Sequence, residues 1–64
     1  YSHAIRTLRD ALTQMTALQS RFPRNSQIRD VIDELDREIA ETESSCRTDA
    51  NEARRLGNPI PQCS

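Results

Sequence analysis

Cys46 and Cys63 are the side chains with the most chemistry open to them in this 64-residue chain. An even cysteine count, in a sequence whose first residue is Tyr1 rather than Met, reads as a disulfide in a processed protein that is secreted or otherwise extracytoplasmic. Metal binding needs about four ligands, and two cysteines with neither a CxxC pair nor a nearby histidine do not supply them. The single histidine, His3, stands at the opposite end of the chain. A reactive thiol needs a neighbouring base or a CxxC motif, and only Arg47, adjacent to Cys46, could lower a thiol pKa. An intrachain Cys46 to Cys63 bond is therefore the leading expectation, with an interchain bond across a dimer as its alternative.

Acid and base chemistry is poorly provided for. Asp33 and Glu34, or Asp36 and Glu38, are one or two positions apart, and on a helix such neighbours point to different faces. Gly57 is the only glycine, so there is no phosphate-cradling loop. The reading is of a protein that is not an enzyme, binds no cofactor and holds no metal. A net charge of -1 argues against a nucleic-acid partner, which calls for a basic face that displaces counterions. No apolar run approaches the ~18 residues of a membrane span. All nine basic residues are arginine, which reads as a composition bias without mechanistic content.

The elements that must position the cysteines are set by two apolar stripes. Tyr1, Ile5, Leu8, Leu12, Met15, Gln19 and Phe22 step alternately by four and three residues, a heptad seam with one polar member. Ala4, Ala11 and Leu18 flank it and widen the apolar face beyond that of a two-stranded zipper, as bundle packing requires. Ile28, Ile32, Leu35 and Ile39 form a second stripe, with Val31 beside it. The second stripe does not continue the first. Seven residues after Phe22 stands Arg29, and the one-residue slip falls where Pro23 removes a backbone donor.

These features predict an all-α fold: a helix over about 2–21 capped by Ser2, a turn at 22–25, and a longer helix over about 26–56 capped by Asn25 or Ser26. A short connection makes the helices antiparallel neighbours, and oligomerisation could bundle such hairpins. After Ile39 the expected seam runs through Thr42, Cys46, Asp49, Ala53 and Leu56. Ser44, Ser45 and Thr48 are weak helix formers, and Asp49 with Glu52 resembles a capping box, so a break near 45–49 is an alternative. Arg54 and Arg55, then Gly57 and Pro59, give the expected stop.

The tail over 57–64 is expected to return along the second helix, with Ile60 covering its thin distal seam. Cys46 lies roughly 15 Å before the helix end, and the seven residues from Gly57 to Cys63 can stretch to ~23 Å, so the tail reaches. The whole chain reads as one small helical domain over 1–64.

Charge divides between the segments. Arg6, Arg9, Arg21 and Arg24 against Asp10 give residues 1–24 a charge of +3, while Arg29 and Arg37 against seven carboxylates give 28–43 a charge of -5. Asp33 to Arg37 is expected to pair along the second helix. The functional expectation is a helical module that binds protein, itself or another. Its packing or partner interface is Ile5, Leu8, Leu12, Met15, Phe22, Ile28, Ile32, Leu35 and Ile39, and its acidic docking face is Asp33, Glu34, Asp36 and Glu41. A coiled-coil stalk cross-linked through the cysteines, and a small secreted effector or inhibitor docking by its acidic helix, are the other readings.

Overall fold

A computed structural model describes residues 1–63. Two helices account for the secondary structure of the described residues: α1, Ser2–Arg21, and α2, Ser26–Leu56. They pack against each other as an antiparallel hairpin with an extent of 50 × 14 × 10 Å.

The turn follows from local chemistry. Pro23 cannot donate, and Phe22 leaves the helical region at φ -131°, its N–H still reaching the carbonyls of Leu18 and Gln19. The N–H of Asn25 then donates to the Phe22 carbonyl at 3.1 Å. Asn25 starts α2 as its cap, with its side-chain oxygen accepting from the N–H groups of Gln27 and Ile28 at 3.0 and 3.2 Å. At the other end Gly57 adopts the left-handed conformation, φ 72°, and the N–H of Asn58 closes on the Ala53 carbonyl at 2.8 Å.

Ser2 does not cap α1. The cap position is Tyr1, which makes no side-chain capping bond, because Ser2 already lies within the first turn. Nor does α2 break near 45–49. Thr48 turns its hydroxyl back to the Ser44 carbonyl at 3.1 Å, and burial of Cys46 and Ala50 within the same stretch overrides the weak propensity of Ser44, Ser45 and Thr48. Glu52 does not complete a capping box with Asp49; it accepts from Arg55 one turn on, at 2.5 Å.

Two hydrogen bonds mark the register of the hairpin. Arg9 Nη2 donates to Glu43 Oε1 at 2.7 Å, and the Tyr1 hydroxyl donates to Asp49. That register sets Ile5 level with Cys46, and these are the two most deeply buried side chains, with Ile28 and Ala50 completing the buried set. Two helices cover a seam from one direction only, so near-complete burial needs a third element. It arises at the end where Cys63 is bonded to Cys46, Cα to Cα 5.6 Å.

The tail covers this end differently from the sequence expectation. Pro61 and Cys63 are the half-buried residues, whereas Ile60 is 51% exposed and Leu56 57% exposed. Ile60 therefore does not cover the distal seam. Past Cys46 the buried position is Ala50, four residues on, instead of Asp49. Two four-residue steps in succession, from Thr42 to Cys46 to Ala50, shift the stripe toward an eleven-residue period, which follows an undistorted helix more closely than a strict heptad.

Closing the 17-residue separation between the cysteines removes unfolded-chain entropy worth ~3 kcal/mol. Replacing Cys46 and Cys63 together by serine should lower the thermal midpoint by roughly 10–25 °C, followed by circular dichroism. A midpoint within experimental error of the parent would show that the bond does not constrain the fold.

Candidate functional site

The stripes meet as the sequence placed them, but few of their members are fully covered. Ile5 and Ile28 are buried, while Leu8, Leu12, Met15, Ile32, Leu35 and Ile39 remain half-buried. Phe22 is set apart. The chain departs from the helix at this residue, and its ring is 52% exposed at the hairpin tip. There Arg21, Phe22, Pro23, Arg24 and Asn25 line an open depression of about 350 Å³.

The two long edges of the hairpin differ in character. Successive residues advance about 100° around a helix, and in an antiparallel pair the flanks of the same hand share an edge. Arg9 bonded to Glu43 marks one edge, with Arg29 and Arg47 on the same flank of α2. Ala4, Ala11 and Leu18 fall on the opposite flank of α1, beside Val31 of α2. On this second edge Met15, Asn25, Gln27, Ile28 and Val31 line a depression of about 230 Å³, and Val31 is 43% exposed. The first edge thus carries charges of both signs, Arg9, Arg29 and Arg47 with Asp36 and Glu43; on the second the apolar side chains come from α1 and from Val31, with Gln27 and Glu38 on the same flank of α2.

Of the acidic set, Asp33, Glu34, Asp36 and Glu41 are all exposed. Their positions spread over roughly half the circumference of α2, so they form a solvated outer surface rather than a converging site. Arg37 lies 3.7 Å from Glu34 at the three-residue spacing; the expected pair of Asp33 with Arg37 is replaced by this one. Exposed pairs of this kind contribute ~0.2–1 kcal/mol. Among the described residues there is no cluster of three or more potential metal ligands and no helix long and apolar enough to cross a membrane. His3 is exposed near the start of α1.

Both cysteines are consumed by a bond within one chain. The interchain cross-link on which the stalk reading rested is therefore replaced by an internal one. What the sequence reading missed is the Tyr1 to Asp49 contact, which ties the first residue to the far half of α2. A phenol that donates to a carboxylate loses that bond on ionising, and the Asp49 charge opposes a second negative charge beside it. The Tyr1 pKa is accordingly raised above 10.0, chiefly by the hydrogen bond and then by desolvation and the Asp49 charge.

No protein-family profile matches the chain, and no curated protein or solved structure matches it.

The raised phenol pKa has a definite sign for stability. The contact is fully present below the ordinary tyrosine pKa and is lost as pH rises through the raised value. Since the chain has one tyrosine and no tryptophan, an ultraviolet titration reads this group alone. The midpoint should lie above 10.0 in the parent protein and fall toward it in Asp49→Ala. Identical midpoints in the two proteins would show that the contact does not form in solution.

Proposed function

We propose that this chain is a helical protein-binding or assembly module without catalytic activity of its own, acting outside the cytoplasm. The observation that carries the reading is the incomplete coverage of the stripe. Six of its large apolar side chains stay half-buried in the hairpin, and Val31 adds exposed apolar surface on the edge beside Met15. Apolar surface held at a fixed spacing on a rigid frame is what helix-in-groove and bundle recognition use, with contacts repeating every three or four residues. Burying it is favourable by about 25 cal/mol for each Å² removed from water.

Placement outside the cytoplasm is supported by the disulfide, because such bonds persist in oxidising compartments and are rare where glutathione keeps thiols reduced. The distribution of charge supports binding over chemistry: carboxylates and arginines lie outward, where they set partner choice and association rate more than affinity.

Substituting Leu35 by Asp sets a charge against the seam and should lower stability by ~2–4 kcal/mol, with loss of helicity and of association. Unchanged ellipticity and sedimentation in Leu35→Asp would contradict the seam. Binding itself is read by placing a photo-crosslinking residue at Val31, which is exposed, in the disulfide-bonded protein and exposing it to native extracytoplasmic extract. Crosslinks to protein at Val31, absent from a probe at the solvent-facing Arg37, are the expected result. Equal labelling at the two positions, or none, would overturn the reading.

A further inference from the structure

We propose that the hairpin tip is a second and separate site, a reversible anchor to membrane surfaces rich in anionic phospholipid, in which Phe22 enters the headgroup layer and Arg21 and Arg24 bind lipid phosphates. The site stands independently of the protein-binding role above. Three observations carry it.

The first is the distribution of charge. Between Asp10 and Asp30 the chain carries Arg21, Arg24 and Arg29 and not one carboxylate, a charge of +3 in a chain whose remaining residues sum to -4. Among the described residues Arg21 and Arg24 take part in no ion pair, and the turn between α1 and α2 collects both at the end of the rod. Arg29 and Asp30 follow together about one helical turn in from Ser26, Asp33 lies roughly 10 Å along α2, and Asp10 lies ~16 Å back along α1. Salt screens exposed charges over about 8 Å, so the end of the rod is positive although the molecule as a whole is negative. Charge complementarity calls for an anionic occupant.

The second is what the two arginines enclose. Phe22 and Pro23 stand between them, both exposed, and the Phe22 ring is 52% exposed because the chain has left the helix at this residue. An apolar ring between two guanidinium groups matches the boundary of a bilayer, where phosphate oxygens lie above acyl chains. Guanidinium groups pair their N–H donors with phosphate oxygens, their apolar stems run along the boundary, and the ring leaves water beneath them.

The third is the size of the end. Two helices side by side, each about 10–12 Å across, present an end of roughly 250 Å², in a rod whose extent is 14 × 10 Å in cross-section. A stable interface with a folded protein takes ~800 Å² from each partner, which the tip does not offer. A membrane sets no such minimum, since the ring is inserted and mobile phosphates converge on the arginines. So few groups hold weakly and reversibly. The rod then stands away from the surface, with Asp33, Glu34, Asp36 and Glu41 of α2 held back from the lipid charge.

Cosedimentation of the disulfide-bonded protein with vesicles at millimolar lipid and low salt tests the proposal, with circular dichroism confirming that each variant keeps its helices. The parent should bind vesicles of equal parts phosphatidylglycerol and phosphatidylcholine at least ~10-fold more strongly than phosphatidylcholine alone, and less as salt is raised. Replacing Arg21 and Arg24 together by glutamine should lower the partition coefficient by roughly 10- to 30-fold, and Phe22→Ser by about 5- to 30-fold. Removing two charges at the stapled end, with Arg54→Gln and Arg55→Gln, should change it by less than about 2-fold. Because the chain has no tryptophan, the emission of Phe22→Trp reports on the tip alone and should shift to the blue on anionic vesicles. No binding to anionic vesicles, equal losses in the two double-arginine variants, or an unshifted Phe22→Trp emission would each overturn the anchor. Tighter binding to polyglutamate or to a single-stranded oligonucleotide than to vesicles of equal anionic charge would overturn the lipid as occupant. None of these outcomes bears on the Val31 crosslinks, so failure of the anchor and failure of the protein-binding role are read separately.

Discussion

A pair of helices covers each side chain of its seam from one direction, and the remaining structure of this protein is organised around that geometric shortage. Between the turn and the middle of the rod the shortage is left standing: Leu8, Leu12, Met15, Leu35 and Ile39 are half-buried. At the far end it is relieved. Bonding Cys63 to Cys46 brings the tail against the hairpin where Ile5, Cys46 and Ala50 are the buried residues. The disulfide thus does two things at once, closing a loop in the unfolded chain and supplying the third element that a two-helix core lacks. Tyr1, reaching Asp49, holds the first turn of α1 to the same region.

This arrangement explains why a chain with little apolar content can hold its fold and still present apolar surface. Among the described residues the buried Ile5, Cys46 and Ala50 lie at the stapled end, and the turn end carries the buried Ile28 together with the exposed side chains Phe22 and Val31 and the two depressions beside them. The Arg9 to Glu43 pair lies between, on the edge opposite Val31.

Much of the fold was legible because its signals are local. The slip of register at Phe22, with Pro23 and Asn25 following, marks the turn; Gly57 marks the end of α2; and the length of the tail allows the disulfide. Where the sequence misled, the reason was tertiary. A strict heptad carried forward from Ile39 reaches Asp49, but an undistorted helix facing a single partner drifts, and Ala50 takes the buried position while Asp49 turns to Tyr1. The signal was present, since Ala50 is eleven residues beyond Ile39. Phe22 completes the heptad on paper yet stands outside the seam, because the chain has already left the helix at that residue. Ile60 carries the apolar character expected of a covering residue, but Pro61 is the half-buried one. The two edges were only half visible: alanines beside the seam could be seen, while their alignment with Val31 depended on the antiparallel register.

The burial of Ile5 level with Cys46 and Ala50, in the far half of α2, is where register and staple come together. Nuclear Overhauser spectroscopy of the disulfide-bonded protein measures it directly. Cross-peaks from the Ile5 methyl groups to Cys46 and Ala50 protons, with the helical amide connectivity interrupted between Phe22 and Asn25, are the predicted result. Uninterrupted helical connectivity through those residues, with Ile5 showing contacts only to its own helix, would contradict the account.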